Sequence, residues 1–235
     1  MPTMPDLSLE PRKVNTRNPS NVELFGLDDI RKHFDEAIVL IFKQIDAANF
    51  MITQGKQDEA EDIWRSQIMF LDSAFDFFLH ELLKLGIISM FHESFDKKTK
   101  QYLNLKLSML NVERALDDCD NDEWLKSWVN ERYAAETFMS FEAFKNICNM
   151  LGLEIQTIAD KTFYETGSKV KTVDKLRNKI NELYTRRNQI AHQSDRIREN
   201  AKRQDISKDL VLEKLDDIKK IIAAIYDEAK RFYNT

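Results

Sequence analysis

The last proline of the chain stands at position 19 of 235 residues. Inside a helix, proline removes a backbone hydrogen bond and clashes with the preceding turn, at a cost of about 3 kcal/mol. More than two hundred residues without one therefore permit long helices throughout. Glycine is almost as scarce, with five residues in all, so the punctuation that a strand-and-turn protein needs is missing. The four prolines (Pro2, Pro5, Pro11 and Pro19) lie among Asn and Ser, which marks residues 1–26 as an extended or disordered arm. No linker interrupts residues 27–235, and the expectation is one all-α domain.

Hydrophobic periodicity divides that domain into helices. Ile30, Phe34, Ile38, Ile41, Ile45, Ala48 and Ile52 recur at three- and four-residue steps, which predicts a helix from Asp28 to Thr53 ended by Gly55. A second stripe, Ile63, Ile68, Leu71, Phe75, Phe78 and Leu82, predicts a long helix from Asp58 to Leu85 that closes at Gly86. Leu103, Leu105 and Leu107 alternate, which reads as a short extended connection over Tyr102 to Leu107. Ser108, Asp122 and Ser140 each stand where a helix cap is expected, and the helix after Ser140 stops at Gly152. Thr172 is placed to cap a basic helix reaching His192, and Ser207 precedes a last helix through Leu212, Ile218, Ile225 and Phe232. The expected architecture is an antiparallel helical bundle around one core.

Composition bounds the partners. Hydrophobic residues are 43% and charged residues 32%, the balance of a folded cytoplasmic protein, and the net charge of -5 gives no global sign of nucleic acid. The distribution differs. Lys169 to Arg203 holds eleven Lys or Arg against four Asp or Glu, while the rest holds 24 basic and 36 acidic residues. A basic segment on an acidic body is an electrostatic footprint for a phosphate-bearing partner such as RNA, with Arg186, Arg196, Arg198, Lys202 and Arg203 as the binding cations. The same charges also fit a solvated helix face. Cys119 and Cys148 lack metal-site spacing and read as buried or idle thiols. The N-terminus has no apolar signal core, and the aliphatic runs are too short for a membrane span.

Several motifs fail. Asp118, Asp120 and Asp122 open like a calcium loop, but Glu123 occupies the position that requires glycine and Val129 the one that requires Glu. His80-Glu81 begins an HExxH-like string in which Lys84 replaces the second histidine. No phosphate-binding glycine loop or nucleophile elbow is present, and no cofactor or metal is expected.

One constellation remains. Arg187 continues the apolar stripe of Val173, Leu176, Ile180, Leu183 and Ile190. A guanidinium on a buried seam is costly unless a charged or polar group meets it. Asn188 and His192 share a face, while His192 sits about 140° round the helix from Arg187. The two converge only if the arginine reaches sideways or a partner comes from another helix or chain. A snorkelling arginine and a surface histidine fit the same pattern.

Arg187-Asn188-x-x-x-His192 resembles the signature of the HEPN superfamily, in which a His follows an Arg by a few residues and a polar residue stands directly after the Arg. The wider string RRNQIAHQSDR (Arg186 to Arg196) is similar to RiboL-PSP-type HEPN families, as is Leu71 to Glu81 in the second helix. The resemblance covers roughly residues 28 to 233. Gln193-Ser194 departs from it, since many relatives carry an acidic residue and Gly there. The resemblance implies a metal-independent endoribonuclease of toxin or antiphage-defence type, with a neutralising protein partner. Two protomers would bring their Arg187 and His192 pairs into one cleft, and a homodimer would give Arg187 its partner surface. Histidine suits proton transfer near neutral pH, and arginine suits charge on phosphoryl oxygens. Asn188 would orient His192 or bind a phosphate oxygen, with Asp76 and His80 in support or merely on a polar helix edge. The alternatives are a non-catalytic HEPN module that binds RNA, a nucleotide or a protein, and a purely structural helical dimer.

Overall fold

The computed structural model describes residues 22–92, 98–117, 121–197 and 199–233. The arm expected over residues 1–26 lies outside them up to residue 21, as do Cys119, Asp118, Asp120 and Arg198. Nine helices form among the described residues: α1 Leu27–Thr53, α2 Gln57–Phe91, α3 Lys100–Leu103, α4 Met109–Asp117, α5 Glu123–Tyr133, α6 Phe141–Leu151, α7 Ile155–Phe163, α8 Thr172–Gln193 and α9 Lys208–Tyr233. The all-α expectation holds.

The four long helices α1, α2, α8 and α9 make the frame. The apolar stripe of α1 (Ile30, Phe34, Ile38, Ile41, Ile45, Ala48) is buried, as its spacing predicts. Phe34 meets Phe78 at 6.1 Å, and the buried Gln67 side chain donates to the Ile41 carbonyl at 3.0 Å, so α2 runs antiparallel to α1. On α8 and α9, Lys179 pairs with Asp217 at 2.9 Å and Lys214 with Glu182 at 2.5 Å, which is also an antiparallel register. Tyr226 donates to Asp28 at 2.5 Å and ties the end of α9 to the start of α1. The core between these helices includes Phe34, Phe75, Phe78, Leu176, Ile180, Leu183, Ile222 and Ile225.

Local signals place most ends. Ser140 Oγ accepts from the Ala143 N–H at 3.2 Å, and Gly152 closes α6 with φ of 72°. A side chain at Gly152 would also meet Thr99 at 3.3 Å. Three expectations need correction, and one helix was not expected. The second helix does not close at Gly86: it continues to Phe91, because Ile87, Ile88 and Met90 are buried and outweigh the roughly 1 kcal/mol that an interior glycine costs. Tyr102 to Leu107 is not an extended connection: Lys100–Leu103 is a helical turn, capped by Thr99, and the rest is irregular. Thr172 is the first residue of α8 and not its cap. Its hydroxyl bonds Asp160 at 2.5 Å and Gln156 at 3.0 Å, which docks α7 on α8. That helix, α7, was not anticipated; its short apolar pattern buries Ile158 and Ala159.

Candidate active site

The stripe of α8 buries Leu176, Ile180 and Leu183 and then reaches Arg187, where α2 lies across it. Asp72 of α2 meets the guanidinium there, with Oδ2 3.2 Å from Nε. Arg187 Nη1 donates to Asn188 Oδ1 at 3.0 Å. The charged partner that the stripe demands is thus supplied within the chain. Placement of Arg187 on an apolar face does not by itself require a second copy, which corrects that step of the sequence reading. The Arg187 side chain is one-third exposed, at 33%, so the guanidinium is anchored at its inner side and open at its outer side.

Asp72 is 4% exposed. Burial pushes its carboxyl up to about 7, against the pull of Arg187 and with the help of Asp76 nearby. Its second oxygen, Oδ1, is buried without a hydrogen-bond partner.

His192 lies near the end of α8 and is exposed. Among the described residues it makes no hydrogen bond or ion pair, and nothing joins it to Arg187. Asn188 bonds Arg187 and, among the described residues, makes no bond to His192.

The neighbouring cation has another task. Arg186 is 9% exposed and binds Asp195 twice, at 2.5 Å and 2.9 Å, and the Asp205 carbonyl at 3.0 Å. Arg65 of α2 reaches the same carboxylate at 2.7 Å and the Gln204 carbonyl at 2.9 Å. Asp195 is fully buried between them. This knot fastens the loop after α8 to α2. Arg186, expected as an RNA-binding cation, is instead turned inward, because a fully buried carboxylate needs charge-assisted donors. Ser194 and Asp195 take left-handed backbone angles, φ 49° and 58°. The chain therefore turns at Ser194 and Asp195 without a glycine.

Beyond the knot, Arg196 and Arg203 pair as an antiparallel bridge. Arg196, exposed, donates to the Ala201 carbonyl at 2.7 Å, and Arg203 pairs with Asp62. Lys202 is exposed and its ammonium has no partner among the described residues. Arg196 and Lys202 thus keep uncompensated charge, Arg203 shares its own with Asp62, and Arg198 is outside the described residues.

Asp76 and His80 fasten a different segment. Asp76 accepts from the Phe138 N–H at 2.7 Å, and His80 lies 3.2 Å from the Glu136 carbonyl with its ring 4.3 Å from that of Phe138. No bond joins them to Arg187 or His192 among the described residues. Lys84, which breaks the HExxH-like string, pairs with Glu81 at 2.6 Å. Asp122 pairs with His92 at 2.8 Å and Lys126 at 2.7 Å. Among the described residues, no three His, Cys, Asp or Glu side chains gather as a metal site. Cys148 is buried, and burial pushes its thiol up.

Sequence reasoning missed Asp72, Arg65 and Asp195. Each is a charged residue in or beside an apolar helix pattern, and the stripe of α2 around Leu71 and Phe75 was the available signal for Asp72. In comparisons with known proteins, the RiboL-PSP-HEPN family matches residues 28–231. No curated protein and no solved structure matches the chain.

Proposed function

Because the chain belongs to the RiboL-PSP-HEPN family, we propose that it is a metal-independent endoribonuclease whose Arg187 and His192 act on an RNA phosphodiester. The family match supports an RNase-type or nucleotide-binding HEPN module, and HEPN domains are often ribonucleases. One observation carries the finer reading. Arg187 is held by Asp72 and Asn188 yet is one-third exposed, while His192 on the same helix end is exposed and unpartnered. A fixed cation and an unpartnered imidazole on one helix end are the two kinds of group that RNA cleavage needs.

In this mechanism the neutral imidazole of His192 removes the proton from the ribose 2′-OH. The oxygen attacks phosphorus, Arg187 stabilises the charge on the non-bridging oxygens, and the 5′-oxygen leaves with a proton. The products are a 2′,3′-cyclic phosphate and a 5′-OH. Within one chain no bond joins Arg187 and His192, which favours a homodimer in which a second copy supplies the protonated imidazole for the leaving oxygen. The protein acts as a toxin or defence effector in this reading, and a neutralising partner belongs to the same proposal.

The test is incubation of purified protein with an RNA oligonucleotide in EDTA, with product ends analysed by mass. Cleavage is expected to persist, to leave the cyclic phosphate or its hydrolysed form, and to vanish in His192→Ala. RNA carrying 2′-O-methyl at the cleaved position, or DNA, lacks the internal nucleophile and resists. Cleavage that requires magnesium, or that survives His192→Ala undiminished, refutes the assignment. The absence of a bond between Arg187 and His192 also favours a second reading, a module that binds RNA without cutting it; salt-dependent binding with no cleavage would select that one.

A further inference from the structure

Asp72 lies outside the Arg-to-His motif, yet it is the residue that meets Arg187 from the neighbouring helix. Its side chain is 6% exposed, against 33% for the arginine. Asn188 takes the guanidinium from a second direction, at Nη1. Among the described residues Nη2 makes no hydrogen bond. A guanidinium is planar and rigid, so holding two of its nitrogens fixes the direction of the third.

Asp72 is poorly explained by packing alone. Its Oδ1 is buried without a partner, which costs free energy that an apolar residue at this position would not. The joint between α2 and α8 is already secured by Arg65, Arg186 and Asp195. The neighbouring Asp76, by contrast, is satisfied by the Phe138 N–H. A buried carboxylate in this place is best accounted for by what it does to the half-open cation beside it.

We propose that Asp72 is a positioning residue that clamps Arg187 against α2 and thereby presents Nη2 to a phosphoryl oxygen of bound RNA. The proposal rests on the ribonuclease reading for its substrate, and its test separates the two.

Asp72→Asn and Asp72→Ala are compared with wild type in cleavage kinetics on a single-site RNA. The Arg187 side-chain NMR signal, assigned through Arg187→Lys, is followed on adding a 2′-O-methylated RNA that cannot be cut. Loss of positioning lowers kcat by roughly ten- to a hundredfold, with KM changed by less than about threefold. In an Arg187→Ala background Asp72→Asn produces no further loss, because the two residues act as one unit. Melting at pH 8 does not fall in Asp72→Asn, whereas a merely structural role lowers Tm and costs the same factor in either background. An unchanged kcat, or a loss that multiplies fully with that of Arg187→Ala, overturns the clamp. If wild type cuts no RNA, the ribonuclease reading falls, and the NMR titration decides for Asp72. A shift of the Arg187 signal on RNA binding that disappears in Asp72→Ala supports the clamp; no shift in wild type, or the same shift in both, overturns it.

Discussion

His192 is exposed and bonded to nothing among the described residues, so removing its imidazole should leave the fold intact. His192→Ala and Arg187→Ala are each expected to reduce RNA cleavage by roughly a hundredfold or more, the usual effect of losing a proton-transfer group or a charge at a phosphoryl centre. Circular dichroism should report unchanged helix content. Asn188→Ala should cost less, since water can replace an amide oxygen at Arg187 Nη1. Asp72 gives a pH signature at the same scale. Its folded-state value, about 7, lies above the ordinary 3.8, so the folded chain holds this proton more tightly than the unfolded one. The resulting contribution to stability is fully present below about pH 4, declines as pH rises toward 7, and is gone above it. Asp72→Asn removes that dependence. Denaturant titrations should show the variant gaining on wild type between pH 5 and 8, by on the order of 2–4 kcal/mol at the upper end. A constant difference across that range would contradict the buried, proton-retaining carboxylate.

At the scale of elements, the end of α8 is held by charge where the rest of the helix is held by apolar contacts. Leu176, Ile180 and Leu183 bury its first turns, and Arg186 with Arg65 and Asp195 fixes its last. Asp195→Ala would strand two guanidinium groups of low exposure and is expected to cost about 3–5 kcal/mol. Hydrogen exchange should then rise first in the loop over residues 194–206, ahead of the core of α1 and α2. Ser194→Gly acts in the opposite direction. At φ of 49° a side chain strains the backbone, and glycine should raise stability by up to about 1 kcal/mol without altering cleavage. A loss of stability in that variant would show that the serine side chain has a bond worth more than the strain.

Across the whole molecule, an acidic body carries a basic segment, Lys169 to Arg203. No helix among the described residues is long and apolar enough to cross a membrane. For the proposed RNA contact the cations available are Lys202 and Arg196, since Arg186 is consumed by Asp195 and Arg203 leans on Asp62. RNA binding is therefore expected to weaken with salt, and Lys202→Glu to weaken it more than Lys145→Glu on the exposed face of α6. Equal effects would reduce the basic segment to a solvated surface. The proposed homodimer is checked by sedimentation at micromolar concentration. An active monomer would remove the two-copy site and require both proton transfers within one chain.

The sequence by itself determined the helices and the place of the motif. Hydrogen bonds from residue to fourth neighbour and apolar repeats of 3.6 residues are local, so α1, α6, α8 and α9 were legible from the spacing of Ile, Leu and Phe and from Ser140 and Gly152. Gly86 misled because burial of Ile87, Ile88 and Met90 overrides a local helix breaker, and burial is not a local property. Only the tertiary structure decided what each charged side chain of the motif does. Arg186 and Arg187 are adjacent in sequence, yet one is locked inward on Asp195 and the other is held half-open by Asp72. The physical reason is that a buried charge must be matched by a group in space: Arg65 finds Asp195 from 130 positions away, a distance over which no pattern in the chain can be read.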